Sequence, residues 1–256
     1  MKAFFDSPAP RVLAHRGLAI TAPENTALAF MHALAIGVRY LETDVHASVD
    51  GHAILSHDPD LRRLLGRPTR IGELSAAALA ELDLGEEQGF LRLEEALDGF
   101  PDARFNIDIK DPAAIAPTVR AIRDAGAVDR VLVTSFDERR RAAAVAALPG
   151  VATSASARRF VPALLSGHLG SAALLRRALA GIDAVQVPER AAGLPTTAAR
   201  FIDRFHEAGV EVHIWTVNDP ARMRELVRRG VDGIVTDRSD LAISQLADDS
   251  LPDNPL

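Results

Sequence analysis

The chain has 256 residues and a formal net charge of -6. This charge provides no overall basic field for nucleic acid or anionic lipid, so an anionic substrate would need local cations or a metal. The absence of cysteine excludes disulfides, thiolate zinc sites and a cysteine nucleophile.

Hydrophobic residues make up 48% of the chain and charged residues 25%, which predicts a compact globular fold. The length suits one eightfold α/β barrel, although two smaller domains would also fit. The first residues lack the apolar segment of a secretory signal, and no later segment reaches the ~18 unbroken apolar residues of a membrane helix. We therefore expect a cytoplasmic protein without stable membrane anchoring.

Short apolar or β-branched segments alternate with alanine- and arginine-rich segments of helical spacing. This alternation predicts a parallel sheet covered by helices. Eight strands are predicted, and in chain order they are VLAH (12–15), YLETDV (40–45), RFNIDI (104–109), RVLVTS (130–135), VATSA (151–155), DAVQVP (183–188), EVHIWTV (211–217) and DGIVTD (232–237).

Two helices between these strands have clear boundaries. ENTALAFMHALAIG (24–37) begins beside Glu24 and stops at Gly37, and DPARMRELVRRG (219–230) stops at Gly230. Together with the strand count, they favour a (β/α)8 TIM barrel over an open sheet.

Residues 46–100 interrupt the alternation. DGHAILSHD (50–58) predicts a short hairpin arm after the second strand, and the polar residues 85–89 predict a loop beside the barrel mouth. No segment is rich enough in Gly, Ser or Pro to mark a second domain. The expected organisation is one barrel domain over 1–246 and a flexible acidic tail over 247–256.

The strand YLETDV carries two acids on one face, because Glu42 and Asp44 are two residues apart. Buried together, they need a cation or protonation, and a hard divalent ion is the simplest compensation. In NIDIK, Asn106, Asp108 and Lys110 share a face in the same way, so Asp108 is a third candidate ligand and Lys110 a candidate phosphate contact. The alternative is that these acids are capping or solvated groups.

Two histidines, His15 and His57, end the segments VLAH and AILSH. Parallel barrels hold their catalytic groups at the carboxyl ends of strands, so these two residues are a candidate acid/base pair, although a lone histidine is more often structural. His213 is expected to line the barrel below Trp215. The remaining histidines lack comparable support, and they are His32, His46, His52, His168 and His206.

Trp215 is the only Trp in the chain and lies in HIWTVND, at the end of the seventh predicted strand. It could be a core residue, or it could lie at the barrel mouth and pack on the apolar part of a substrate.

Several short motifs occur in a fixed order over nearly the whole chain. They are HRG at 15–17, PENT at 23–26, ETD at 42–44, HD at 57–58, NIDIK at 106–110, WTVN at 215–218 and GIVTD at 233–237. Together they resemble the glycerophosphodiester phosphodiesterase family. HRG followed by PENT and E-x-D carries most of this resemblance, whereas WTVN and GIVTD only support it.

The resemblance implies a TIM barrel that hydrolyses glycerophosphodiesters to glycerol 3-phosphate and an alcohol with one divalent ion, Mg²⁺ or Ca²⁺. It implies metal ligands at Glu42, Asp44 and Asp108, an acid/base pair at His15 and His57, and phosphate contacts at Arg16 and Lys110, with attack by the glycerol 2-hydroxyl as a permitted first step. Two features depart from the family. Asp108 replaces a more common Glu, and the segment after His57 matches poorly.

Two other functions remain open. One is a lipid-directed relative with lysophospholipase D, sphingomyelinase D or phosphatidylinositol phospholipase C activity, which the PENT motif and the scarcity of Trp and Tyr disfavour. The other is a non-catalytic ligand-binding barrel, because fold does not guarantee function. The expected partner is a small soluble glycerophosphodiester rather than nucleic acid, and the sequence leaves the head-group alcohol, the metal and the oligomeric state undecided.

Overall fold

A computed structural model describes residues 2–248, and most of its strands belong to one barrel. The strands are β1 Arg11–His15, β2 Tyr40–Ala47, β3 Ala53–Leu55, β4 Arg104–Ile109, β5 Val131–Thr134, β6 Ala152–Thr153, β7 Ala184–Val187, β8 Arg190–Ala191, β9 Leu194–Pro195, β10 Glu211–Ile214 and β11 Gly233–Thr236. Eight of these described strands are parallel neighbours in the order β6, β5, β4, β2, β1, β11, β10, β7.

The barrel closes between β6 and β7. A single parallel bridge joins Ser154 to Ala184, and the Ala155 amide donates to the Ala184 carbonyl at 2.9 Å. The predicted TIM barrel is therefore confirmed, with all eight predicted segments in the wall. Some segments are shorter than predicted, because the ladder of β10 ends at Ile214 and that of β6 spans two residues.

Helices cover the outside of the barrel. They are α1 Ala27–Ala35, α2 Arg62–Leu65, α3 Ala76–Ala80, α4 Leu93–Gly99, α5 Ile115–Asp124, α6 Glu138–Ala147, α7 Ala157–Leu169, α8 Ala172–Ala178, α9 Ala199–Glu207, α10 Pro220–Arg228 and α11 Ser239–Asp248. The two predicted helices form. Thr26 caps α1 by accepting from the Ala29 amide, and Asp219 caps α10 by accepting from the Arg222 amide.

Side chains alternate along each barrel strand between the outside, beneath the helices, and the barrel interior. Outward residues such as Leu41 and Phe105 join the main core beneath the helices. Inward residues at the amino end of the barrel, among them Leu13 and Tyr40, form a second cluster with Phe4 and Phe5, which close the barrel bottom. In β2 the same inward face continues upward from Tyr40, so the next inward side chains lie toward the carboxyl end, the barrel mouth.

The insertion after β2 is confirmed as a hairpin with a small core of its own. Strand β3 pairs antiparallel with β2, opposing Leu55 to Val45. Buried apolar side chains fill the layer below it, namely Ile54, Leu61, Ile71, Ala76, Leu79 and Phe90. The polar loop over 85–89 packs on the start of α1, where the Gln88 side-chain oxygen accepts from the Leu28 amide at 3.2 Å.

The carboxyl-terminal boundary stays a prediction. Helix α11 runs to Asp248, and residues 249–256 of the predicted tail lie outside the described residues. Within residues 2–248, no helix is both long enough and apolar enough to cross a bilayer.

Candidate active site

A cavity of about 490 Å³ opens at the carboxyl ends of the barrel strands. Its lining includes all eight side chains predicted for the site, which are His15, Arg16, Glu42, Asp44, His57, Asp108, Lys110 and Trp215. The residues come from β1, β2, β4, the hairpin arm and the segment after β10. Parallel barrels carry their active sites at this end.

The HRG motif is a tight turn that leaves β1. Arg16 and Gly17 both have positive φ, 59° and 85°. The Arg16 amide donates to the Glu42 carbonyl at 3.0 Å and to its carboxylate at 3.1 Å, which ties the turn to β2. Gly17 is required here because a Cβ at this position would lie 2.8 Å from the backbone carbon of Ala29.

We expect Gly17→Ala to lower the free energy of unfolding by about 2–3 kcal/mol, since positive φ and backbone overlap both penalise the methyl group. For a chain of this size that corresponds to roughly 5–10 °C in Tm, measured by thermal unfolding. Gly51→Ala is the matched control, because Gly51 has φ 80° and open space around it. Equal losses in both variants would show that the contact with Ala29 is not the cause.

The PENT motif supports the HRG turn. The Asn25 amide donates to the Arg16 carbonyl at 2.9 Å, and the Asn25 side-chain oxygen accepts from the Thr43 hydroxyl at 2.7 Å. Glu24 accepts from Arg16 at 3.1 Å and from Arg63 at 2.6 Å. Burial opposes the charge of Glu24, but the two guanidinium groups outweigh it and hold its pKa below the ordinary value. The motif thus orients Arg16 at the edge of the cavity.

Three buried carboxylates form the floor of the cavity. Glu42 and Asp44 come from β2 and Asp108 from β4, with Asp44 directly opposite Asp108 in the sheet. The Lys110 ammonium lies between two of them, 2.8 Å from Asp44 and 2.6 Å from Asp108. One oxygen of Asp44 (Oδ2) and one of Asp108 (Oδ1) are buried without a hydrogen-bond partner among the described residues. Burying such orphaned oxygens is costly unless a cation compensates them. Arg16 Nε lies 3.4 Å from Asp44 Oδ2, whereas Lys110 contacts the other oxygen of Asp108, so Asp108 Oδ1 is the less compensated of the two.

Burial raises the pKa of two of these acids, Glu42 and Asp108. It raises the pKa of Glu42 to about 8, with Asp44 adding to the rise and His15, Lys110 and Arg16 opposing it. Burial likewise raises the pKa of Asp108, although Lys110 opposes that shift. Burial lowers the pKa of Lys110, but the carboxylates of Asp44 and Asp108 outweigh burial and raise it. The floor therefore carries more acid than its own cations neutralise.

The donor set fits a hard divalent ion, with one rearrangement. As the side chains stand, no three His, Asp or Glu groups within residues 2–248 are arranged to hold a metal, and the Lys110 ammonium occupies the space between Asp44 and Asp108. The oxygen-only chemistry of Glu42, Asp44 and Asp108 and their two orphaned oxygens suit Mg²⁺ or Ca²⁺. A metal bound by these three acids would require the Lys110 ammonium to leave the space between Asp44 and Asp108.

His15 is held by a carboxylate that the sequence analysis did not select. Its Nδ1 donates to Asp237 at 2.6 Å, which leaves Nε2 directed toward Glu42 at 4.0 Å. Burial lowers the pKa of His15, but the hydrogen bond to Asp237 and the charge of Glu42 outweigh burial and raise it. Asn218 donates to the second oxygen of Asp237 at 2.8 Å and fixes its orientation.

We expect Asp237→Asn to lower kcat by about 10- to 100-fold, because a hydrogen bond to a charged group contributes about 1.5–3 kcal/mol. The pKa of His15 should fall, so the limb of the pH–rate profile that reports His15 should move to lower pH. Because the folded-state pKa is raised, this pairing stabilises the fold fully below the ordinary pKa of 6.5, and the contribution disappears as pH rises through the raised value. A purely structural role for Asp237 would leave the pH profile in place.

His57 reaches the cavity by a route that differs from the prediction. It follows β3, which is an antiparallel arm rather than a barrel strand. Because β3 is antiparallel to β2, the chain returns along β2 toward the barrel. The Ser56 amide then donates to the Asp44 carbonyl at 2.9 Å. His57 therefore returns to the level of the floor acids. Its Nδ1 donates to Asp58 at 2.8 Å, and Arg63 donates to the other oxygen of Asp58 at 2.5 Å.

One wall of the cavity is apolar. Trp215 is half-buried there, and its ring meets that of Phe136 edge to face with centroids 6.0 Å apart. Phe136 is 58% exposed at the cavity edge. The wall also includes Ala155, Phe160, Val187, Pro188 and Ala191. Trp215 thus faces the cavity beside a second aromatic side chain, and the Phe136 ring lies 5.8 Å from the Lys110 ammonium.

Comparisons with known proteins identify the family of this chain. The profile of the Glycerophosphoryl diester phosphodiesterase family matches residues 15–241. The chain belongs to this family. It is similar to the probable glycerophosphodiester phosphodiesterase 2 of Mycobacterium tuberculosis, at 42% identity over 231 residues, which cover 90% of this chain and 88% of the relative.

Two solved glycerophosphodiester phosphodiesterase structures share the fold. The putative enzyme of Silicibacter pomeroyi superposes with a TM-score of 0.81 at 23% identity, over 98% of this chain and 99% of that one. The enzyme of Thermotoga maritima gives 0.72 at 27% identity, over 91% and 96%. The predicted family and reaction class are confirmed. The chain is a phosphoric diester hydrolase of the glycerophosphodiester phosphodiesterase type.

Within this phosphodiesterase, sequence reasoning missed several side chains around the site. Asp237 was visible in GIVTD, and the parallel pairing of Ala14 with Thr236 sets it beside His15. Asp58 was quoted in the HD motif but given no role. Phe136 and Gln186, which also line the cavity, carried no motif signal. His213 lies fully buried below Trp215 as predicted, bonded to Glu211 at 3.0 Å.

Proposed function

We propose that this phosphodiesterase cleaves small soluble glycerophosphodiesters to glycerol 3-phosphate and an alcohol, with His15 and His57 as the acid/base pair. The observation that carries the proposal is that both imidazoles line one cavity, each with its Nδ1 held by a carboxylate. That arrangement leaves both Nε2 atoms free of the carboxylates that hold Nδ1, and His15 Nε2 lies 4.0 Å from Glu42. One imidazole can then take a proton from the nucleophile while the other donates a proton to the leaving alkoxide.

Positive charge at the cavity edge suits the phosphate. Arg16 and Lys110 both line the cavity. Negative charge grows on the phosphoryl oxygens as the ester bond breaks, so fixed cations stabilise the transition state more than the bound substrate. Glu24 and Asp44 orient the Arg16 guanidinium at 3.1 and 3.4 Å, which limits its reorganisation when substrate binds.

The residues proposed to hold a divalent ion are Glu42, Asp44 and Asp108. When bound, such an ion supplies Lewis-acid stabilisation of the phosphoryl oxygens. Glu42 would hold such an ion as the carboxylate, although burial favours its protonated form. The Lys110 ammonium contacts Asp44 and Asp108 at 2.8 and 2.6 Å, close enough to the proposed ligands to contribute a positive charge for the phosphate. The orphaned oxygens of the two aspartates support this assignment.

The apolar wall makes a lipid-directed substrate the second candidate. Phe136 and Trp215 could contact one acyl chain of a lysophospholipid as well as the carbon skeleton of a small alcohol. The cavity of about 490 Å³ encloses the phosphate and a compact head group more readily than a long chain, and this favours the soluble substrate.

A product assay distinguishes the two candidates. We expect glycerol 3-phosphate release from glycerophosphocholine or glycerophosphoethanolamine at a kcat/KM at least about tenfold above that for lysophosphatidylcholine micelles. Phe136→Ala should raise KM for the better substrate, because it removes the exposed half of the aromatic pair. Faster turnover of the micellar substrate would reject the first proposal in favour of the second.

A further inference from the structure

The arginines of this acidic chain are unevenly distributed. Residues 139–182 contain seven arginines and neither Asp nor Glu, although the whole chain has a net charge of -6. This segment covers β6, α7, α8 and all of α6 except its first residue, Glu138, which pairs with Arg141 at 2.8 Å. The overall charge therefore conceals a local basic region on one flank of the barrel.

An apolar stripe lies on the same flank. Among the described residues, eight large apolar side chains are about half or more exposed, and four of them belong to α7 and α8. Val161, Leu165 and Leu169 follow one another at four-residue spacing on α7 and are 49%, 52% and 81% exposed. Four-residue spacing sets side chains on one helix face, so the three form a continuous stripe.

Arginines border this stripe. Arg158 precedes Val161 by three residues and lies on the same face of α7, and Arg177 follows Leu174 by three residues on α8. Helices α7 and α8 pack against each other. Arg158, Arg176 and Arg177 are exposed, and none forms an ion pair with a carboxylate within residues 2–248. We name as the α7–α8 face the exposed residues Arg158, Val161, Leu165, Leu169, Leu174 and Arg177.

Helix α7 packs against the barrel through the side opposite the stripe, so the core does not need the exposed apolar residues. Phe160, Ala163 and Leu164 are buried against the barrel, and Gly167 lies under the rings of Phe201 and Phe205. The helix thus satisfies its packing with one side and still presents leucines on the other. Contiguous exposed apolar side chains of this kind mark an interaction surface.

We propose that the α7–α8 face docks reversibly on an anionic phospholipid bilayer. Apolar side chains flanked by arginines suit the boundary between acyl chains and anionic head groups. A symmetric contact between two copies of the chain would bring the same unpaired arginines together, so the charge favours lipid over self-association. Helix α7 begins at the cavity, where Ala157 and Phe160 line the wall, so docking holds the active site beside the membrane.

The test measures cosedimentation of the full chain with vesicles of phosphatidylcholine alone and of phosphatidylcholine mixed with phosphatidylglycerol. We expect binding to the mixed vesicles at low NaCl and its loss at high NaCl. Arg158→Glu with Arg177→Glu should weaken binding by more than about 20-fold, since each arginine contributes about fivefold. Leu165→Ser with Leu169→Ser should weaken it by at least about tenfold.

Matched controls alter equivalent residues elsewhere. Arg67→Glu with Arg228→Glu changes the net charge equally, and Met31→Ser with Val49→Ser removes two exposed apolar groups outside the face, 49% and 65% exposed. Both controls should bind like the wild type. Turnover of glycerophosphocholine should stay unchanged in all four variants, because none of these residues lines the cavity, so docking is tested separately from the proposed reaction.

Three results would overturn the proposal. They are absence of wild-type binding to the mixed vesicles, equal binding to neutral vesicles at both salt concentrations, and equal loss in controls and face variants. Sedimentation velocity without lipid should give a monomer. A dimer that Leu165→Ser with Leu169→Ser dissociates would instead assign the face to a second copy of the chain.

Discussion

Replacing His15 or His57 by alanine is expected to lower kcat for glycerophosphocholine by about 10²–10⁴-fold, the usual contribution of a positioned acid or base. Both side chains are partly exposed at the cavity, 20% and 39%, so truncation opens no cavity in the core. The Tm and the circular dichroism spectrum should therefore stay close to those of the wild type. Steady-state kinetics across pH should also show that each variant loses one limb of the profile.

His32→Ala is the matched control, because His32 lies on the outer helix α1 and does not line the cavity. It should retain full turnover. Activity within about threefold of the wild type in His15→Ala or His57→Ala would remove that residue from the acid/base pair. A double variant should lose little more than the worse single variant, because two groups acting on one reaction are not additive.

Removal of divalent ions is expected to have an effect of similar size. Treatment with excess chelator should lower kcat by at least about 10³-fold, since a bound ion contributes several kcal/mol to transition-state stabilisation. Added Mg²⁺ or Ca²⁺ should restore turnover. Glu42→Gln and Asp44→Asn should abolish both the restoration and metal binding measured by calorimetry. Glu207→Gln, an exposed change on α9, should alter neither.

The protonation of Glu42 provides a readout independent of activity. Its pKa of about 8 means that binding an ion displaces a proton over most of the neutral range. Calorimetry in buffers of different ionisation enthalpy should therefore detect proton release below pH 8, and metal affinity should rise with pH up to that value. Unchanged turnover in excess chelator, or binding without proton release at neutral pH, would contradict the proposed ligand set.

The motif resemblance gave the family, and the eight alternating segments gave the barrel. Strand segments such as RFNIDI match the observed β4 residue for residue, because a buried parallel strand needs an unbroken β-rich run. Prediction was poorer at strand ends, as with EVHIWTV, because where a ladder stops depends on the neighbouring strand. The hairpin arm was predicted, but its antiparallel return to the level of Asp44 was not.

Side-chain direction along a strand is a local property. The sequence by itself therefore determined that Glu42 and Asp44 lie on one face of their strand. It determined in the same way that Asp108 and Lys110 lie on one face of the next barrel strand. Only the tertiary structure decided which groups meet across the barrel. Asp237 binds His15 from 222 residues away, and Lys110 lies between two aspartates instead of projecting freely. Such pairings depend on the closure of the barrel and on burial, which raises the energy of every unpaired charge until it finds a partner. The same holds for the α7–α8 face, because helical spacing reveals a stripe, and only packing shows which side of the helix stays uncovered.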